Sequence, residues 1–223
     1  MTRAIFCKEW WKTRWWVLLG ACLSAGVTAY ILLTLRSTMT VSGEVETIAS
    51  MLGRDTLFID PMRYIPVAFG LLLGCIQWLP EMQQKRIKLT LHLPLPYPRS
   101  IGTMLGYGVM VLAAVSLCNM CLLGGIELLW LPRELVRITL LTLLPYQVAG
   151  LMTYLLTAWV ILEPTWGMRC VAGLMSLALV SIFFLNTMPL VYMRLLPWLI
   201  VLTLLCALLP LYSVYRFNLG KGL

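Results

Sequence analysis

Charge is what this sequence has least of. Of its 223 residues only 12% are Asp, Glu, Lys or Arg, while 61% are hydrophobic. A soluble globule carries roughly a quarter charged residues, and half that share cannot cover its surface. A soluble enzyme, a disordered chain and a collagen-like repeat are excluded, which leaves a polytopic membrane protein. Histidine is almost missing: His92 stands alone, so a His-Glu-x-x-His zinc helix cannot be built. A Gly-x-Ser-x-Gly elbow is absent, as is a Gly-x-x-x-x-Gly-Lys-Ser/Thr phosphate loop. Catalytic, cofactor and metal sites are therefore all expected to be lacking.

Acidic residues number only nine, and none is read as lying inside a span. Glu127 and Glu163 border apolar runs, whereas Glu9, Glu44, Glu46, Asp55, Asp60, Glu81 and Glu134 fall outside them. An ion-driven carrier normally uses intramembrane carboxylates, so that class lacks its equipment here. The seven cysteines are an odd number and sit mostly in apolar runs, which predicts free thiols rather than a disulfide framework. Cys118 and Cys121 form a Cys-x-x-Cys with no further ligand nearby and are expected to be small core residues.

Long apolar runs are what the sequence has in abundance. They define six spans, at about 15–35, 62–80, 101–126, 138–162, 170–188 and 195–215. Each approaches or exceeds the roughly 20 residues a helix needs to cross hydrocarbon, and helices are required because lipid offers no partner to a free backbone group. The second run is short and borrows Pro61, Met62 and a snorkelling Arg63. Pro145, Pro197 and Pro210 are expected to bend their helices. The segment 186–190 is expected to form a tight outer turn. The predicted fold is thus all-α, with residues 1–223 forming one transmembrane domain.

Basic residues fix the expected orientation. With the N-terminus inside, 11 of the 17 Lys and Arg residues fall on the cytoplasmic side, including every lysine. Both termini are expected in the cytoplasm. The net charge of +8 comes from strips flanking the spans, so it points to the lipid bilayer and not to nucleic acid as partner.

Two cytoplasmic segments carry residue-level character. Residues 4–14 interleave Trp10 and Trp11 with Lys8, Lys12 and Arg14, a composition suited to the headgroup layer, and predict an interfacial helix bending into the first span. Phe6 and Trp10 fall on one helical face, while Lys8, Glu9 and Lys12 fall on another. Residues 81–99 form the largest cytoplasmic loop: Glu81 and a basic patch come first, then alternating leucines stiffened by Pro94, Pro96 and Pro98. Such a loop suits transmission of a partner's motion. Gly70-x-x-x-Gly74 and Gly102-x-x-x-Gly106 permit close helix approach, first within one subunit and second between two.

The order of these features resembles the permease subunits of type-2 (ABC-2) ATP-binding-cassette transporters. Those subunits open on a basic-aromatic segment, here Lys8-Glu9-Trp10, followed by two spans and a cytoplasmic loop. In that loop Glu81, Lys85, Arg86, Thr90, Leu91, Leu93 and Pro94 follow the usual order. Leu93-Pro94-Leu95-Pro96 also looks like the loop of the haem-exporter B subunit of cytochrome c maturation. Leu89 stands where the family usually has glycine before the Thr-Leu pair.

The resemblance implies a multi-pass protein of a bacterial inner membrane, paired with a second permease and two ATP-binding subunits. ATP and Mg would be held by those partners and no cofactor by this chain. It further implies that Glu81, Lys85, Arg86, Lys88, Thr90, Leu91, Leu93 and Pro94 contact the ATPase, and that the substrate is amphipathic or apolar. The competing expectations are a non-transporting assembly or resistance factor that anchors partner proteins, and an integral-membrane lipid enzyme, for which polar residues are too scattered.

Overall fold

A computed structural model describes residues 2–53, 59–83, 97–186 and 188–218. Among these there are eight α-helices and no strand: α1 Thr2–Ser42, α2 Glu44–Gly53, α3 Asp60–Gln83, α4 Tyr97–Glu127, α5 Arg133–Leu162, α6 Trp166–Ser181, α7 Leu196–Cys206 and α8 Leu208–Asn218. Two 3-10 turns, Ile182–Phe184 and Val191–Met193, lie between α6 and α7. Six stretches are long and apolar enough to cross a membrane, the last made of α7 and α8 together.

The helices follow the expected spans and run past them. α1 continues unbroken from Thr2 to Ser42, through the point where the sequence predicts an interfacial segment to turn into the first span. Glycine at 43, with φ +86°, occupies the left-handed region that ends such a helix, and α2 follows directly in the stretch between the first two spans. Proline acts more variously than predicted. Pro145 sits inside α5, but Pro197 lies in the first turn of α7, where a missing N–H costs nothing. Pro210 falls in the first turn of α8, and the helix breaks at Ala207 just ahead of it, because the ring clashes with the carbonyl four residues upstream. The fifth span, α6 with the 3-10 turn after it, stops at 181–184 rather than 188, where the chain enters turns with Leu190 at φ +60°.

α5 is the axis of the assembly. It is apolar all round, which suits a helix buried on every side, and Leu143, Ala149, Met152, Tyr154, Leu156 and Ala158 have essentially no exposed surface. Its closest neighbour is α3, and glycine explains the closeness. A Cβ at Gly70 would collide with the Gly150 carbonyl oxygen, one at Gly150 would stand 2.6 Å from the Pro66 carbonyl oxygen, and one at Gly74 would meet Thr157. The Gly70–Gly74 pair is therefore spent on packing within the chain. Gly102 and Gly106 face open space.

Chain direction alternates from span to span. One end of the helix assembly gathers the start of α1, the end of α3, the start of α4, the end of α5, the start of α6 and α8; it is called the proximal end below. The distal end holds Arg36 over the Trp130 ring and the Arg63–Asp60 pair at 3.0 Å. Arg63, expected to snorkel, is instead buried beside the Tyr146 ring.

Candidate functional site: a charged joint at the proximal end

Residues 6–16 of α1 turn their charge inward. Glu9 and Thr13 are fully buried, whereas Trp10, Trp11, Trp15 and Trp16 are about half exposed or more. The faces differ from those read in the sequence: Phe6, expected beside Trp10, packs edge-on against the buried Tyr107 ring at 5.7 Å on the same side as Glu9 and Thr13, while the indoles lie outside. Arg14 lies 3.9 Å over the Trp11 ring and 5.5 Å from that of Trp15.

The inward face closes on the last turn of α3. Lys8 Nζ donates to Glu81 Oε1 at 3.0 Å and Lys12 Nζ to the same oxygen at 3.2 Å. Lys12 also donates to the Gln77 carbonyl oxygen at 2.5 Å and stands 3.8 Å from Glu9 Oε2. Two of its three protons have acceptors within hydrogen-bond distance. Lys8 completes the group 4.0 Å from Glu9 Oε1. Glu9 and Glu81 carry no exposed surface, yet only Glu81 Oε1 accepts hydrogen bonds from the ammonium groups; Glu81 Oε2 and both Glu9 oxygens are buried without a hydrogen-bond partner. The ammonium groups keep a route to solvent: Lys8 is 43% exposed and Lys12 16%.

A neutral network extends this joint into α4 and α5. Thr13 Oγ1 donates to the Glu9 carbonyl oxygen at 2.9 Å. Because a hydroxyl has one proton, the Tyr107 hydroxyl must donate in its 2.5 Å contact with Thr13. Gln77 Nε2 donates to the Met104 carbonyl oxygen at 2.9 Å, and the Tyr154 hydroxyl donates to Gln77 Oε1 at 2.8 Å. Gly108 makes room for that tyrosine, since a Cβ there would overlap the phenol ring. Four helices are therefore tied at one level by side chains from Glu9, Glu81, Gln77, Tyr107 and Tyr154.

A second ionic group lies at the same end. Glu163, just past α5, accepts from Arg216 Nη1 at 2.7 Å and from Ser213 Oγ at 2.6 Å. Arg169 Nη2 donates to the Glu163 carbonyl oxygen at 2.8 Å. α5, α6 and α8 are joined through one residue.

Several sequence expectations change here. The acidic residues read as lying outside or at the edges of the apolar runs include four that are buried, Glu9, Glu81, Glu127 and Glu163. Glu81, expected at a partner's surface, is enclosed instead beneath Lys8 and Lys12. Lys85, Arg86, Lys88, Thr90, Leu91, Leu93 and Pro94 lie outside the described residues, as does most of the proline-rich stretch; Tyr97 and Pro98 already belong to α4. All seven cysteines are unpaired as predicted. Cys118 and Cys121, however, are exposed on α4 rather than buried in the core, because that helix packs along only a narrow face. Among the described residues no three His, Cys, Asp or Glu side chains converge to hold a metal.

Gln77, Tyr107 and Tyr154 were missed in the sequence. Gln77 was legible as the lone amide in an otherwise apolar run; the tyrosines carried no signal, because which phenol finds a partner is decided by helix packing. Comparisons with protein-family models, curated proteins and solved structures returned no match.

Proposed function

We propose that this chain is the membrane-spanning permease subunit of an ATP-driven exporter, powered by a separate ATP-binding subunit. The observation that carries the reading is the joint between Glu81 and the Lys8–Lys12 pair. Glu81 ends the second span and stands at the entrance to residues 84–96, the segment expected to receive a partner's push. Its carboxylate is clamped to the N-terminal segment of the first span and, through Gln77, to α4 and α5. A displacement of that segment is passed to α1 by short, charge-assisted bonds and on to α4 and α5 by neutral ones. The energy, in this reading, comes from ATP held by the partner subunit.

In this reading the six helices cross a bacterial inner membrane with both termini in the cytoplasm, where the basic residues concentrate. α1, at 1.5 Å per residue, is about 60 Å long, roughly twice the hydrocarbon thickness. Its first turns therefore extend beyond the core, with the exposed tryptophans and Arg14 at the headgroup level. A second permease completes the translocation path, and nucleotide binding shifts the pair between inward- and outward-open states through differential affinity.

Mild detergent extraction of the tagged chain from its own cells tests the proposal. An ATPase subunit is expected to co-purify, and Glu81→Gln is expected to lower transport-coupled ATP hydrolysis without removing the chain from the membrane. A chain that never brings down an ATPase and performs its role with Glu81 replaced overturns it.

A further inference from the structure

A concavity of about 830 Å³ lies between α3 and α6, with α5 as its floor. Leu71 and Leu79 form one wall, Leu174 and Leu177 the other, and Leu156 and Ile161 the floor. The wall leucines are 41–70% exposed, so the groove opens sideways along its length. Its hydroxyls have no proton free for a solute. Thr153, Thr157 and Ser176 each donate their hydroxyl to a backbone carbonyl, of Ala149, Thr153 and Ala172 respectively. A phosphate or other anion would find no free donor inside, whereas an alkyl chain needs no partner.

Length and charge narrow the occupant. From Val67 to Leu79 the groove spans twelve residues, or about 18 Å of helix, close to the ~15 Å half-thickness of a hydrocarbon core. At its proximal end, Ile161 of the floor and Cys170 of the wall flank Arg169. The Arg169 guanidinium reaches the Ile161 carbonyl oxygen at 3.5 Å and stacks 5.1 Å from the ring of Trp166, which is 76% exposed. Arg169 and Trp166 stand beside the end of the groove rather than in its lining. Arg169 Nη2 also holds the Glu163 carbonyl oxygen at 2.8 Å, which leaves Nη1 for a ligand. An apolar slot one leaflet deep with an arginine and an exposed indole at its end has the layout of an amphiphile with an anionic head.

We propose that this groove holds an acyl chain of an anionic phospholipid from the leaflet on the side of the termini, with its phosphate placed at Arg169. The site rests on the reading that the helices cross a membrane. It is distinct from the Glu81 joint, which lies on the other face of α3. Gly173, which lines the groove, gives a means of closing it: a Cβ there meets nothing within 4 Å, so a bulky side chain can be introduced by Gly173→Trp without a clash at its first atom.

The test uses the full chain in nanodiscs of phosphatidylcholine containing a small fraction of phosphatidylglycerol with a photoreactive acyl chain. Adducts are mapped by mass spectrometry after irradiation. The expected result is preferential labelling of 67–79 and 170–180 over the exposed face of α4 around Leu117, by about tenfold, equivalent to 1.4 kcal/mol. Gly173→Trp should abolish that preference and leave the Leu117 face unchanged. Arg169→Gln should reduce the advantage of the anionic probe over a phosphatidylcholine probe about fivefold, as expected for one cation near an anionic headgroup, and Arg169→Lys should restore it. Equal labelling of groove and Leu117 face, insensitive to Gly173→Trp, overturns the proposal and leaves the membrane reading standing. So does cross-linking of the groove walls to a second copy. An unlabelled Leu117 face defeats the membrane reading itself.

Discussion

Glu81 and Lys8 meet at 3.0 Å although 73 residues separate them, and the carboxylate is fully enclosed while the ammonium is nearly half exposed. The asymmetry gives the pair a direction. The buried member is fixed by α3 and the fold around it, and the open member can respond to what lies outside. Lys12, four residues on, occupies the same helical face and adds a second bond to the same oxygen. A single ion pair at this depth would be weak evidence for stability; two ammonium groups on one carboxylate, with Glu9 beneath, make a joint that moves as one piece.

Glu81→Gln should therefore destabilise the chain, and more than a surface ion pair would. Removing one charge leaves Lys8 and Lys12 facing Glu9 alone at 3.8–4.0 Å. Because both ammonium groups keep solvent contact, the cost should fall below that of a wholly buried pair, at about 1–3 kcal/mol. Thermal unfolding in detergent reads it. A Glu81→Gln, Lys8→Met double-mutant cycle should show coupling of about 0.5–3 kcal/mol; additive effects would mean that the two side chains do not act together.

The two glycine pairs should behave oppositely. Gly70→Ala and Gly150→Ala push a methyl into a facing backbone carbonyl that cannot swing away. Overpacking of this kind costs about 1–3 kcal/mol, which outweighs the roughly 1 kcal/mol of helix propensity gained from Gly to Ala. Gly102→Ala and Gly106→Ala meet no neighbour, so only the propensity gain remains and the melting temperature should hold or rise. A fall at Gly106 accompanied by a change in oligomeric state would place a second copy on that face.

The helices were legible because lipid-length apolar runs have few alternatives: Trp15–Leu35 and Ile138–Leu162 must be helical throughout, whereas the extension of α1 to Thr2–Ser42 lies beyond what the run dictates. Burial was not legible, since a run that is apolar on all sides gives no facing signal. Cys118 and Cys121 illustrate this, looking like core and lying outside. Charge at span ends was misread for a related reason. Glu9 and Glu163 sit where a sequence window reports solvent, yet each is buried by partners dozens of residues away: Glu9 by the end of α3, and Glu163 by Ser213 and Arg216. Pairing across the fold is a property of helix crossing, which hydropathy does not encode.

Tyr154→Phe should cost about 1–2 kcal/mol. It removes the donor to Gln77 Oε1 and leaves that oxygen buried without its partner. Gln77→Leu should cost more, because it orphans the Tyr154 hydroxyl and frees the Met104 carbonyl from its side-chain donor at once. Combining both substitutions should recover part of the loss, since an apolar pair leaves no buried group unsatisfied. Equilibrium melting of the two single variants and the double variant decides it, and a double variant worse than the sum would contradict the bond order described above.

Arg216→Met tests whether α8 is anchored through Glu163 or merely lies beside it. The Glu163 side chain is 3% exposed and accepts from Arg216 at 2.7 Å and from Ser213 at 2.6 Å. Without the guanidinium a buried carboxylate keeps only a hydroxyl, and breaking a buried pair on one side costs about 3–5 kcal/mol, toward the lower figure here because Arg216 is 22% exposed. Ser213→Ala should cost less, about 1–2 kcal/mol, and adding Glu163→Gln to Arg216→Met should restore much of the stability by removing the stranded charge. The same substitution logic at the other end gives the control: Asp60, 74% exposed, pairs with Arg63 at 3.0 Å, and Asp60→Asn should change stability by less than about 1 kcal/mol. Limited proteolysis separates local from global effects, because release of α8 alone should expose residues 208–218 to cleavage before the melting transition. If Arg216→Met leaves both melting and cleavage unchanged, Glu163 is satisfied without the guanidinium, and the ion pair does not anchor α8.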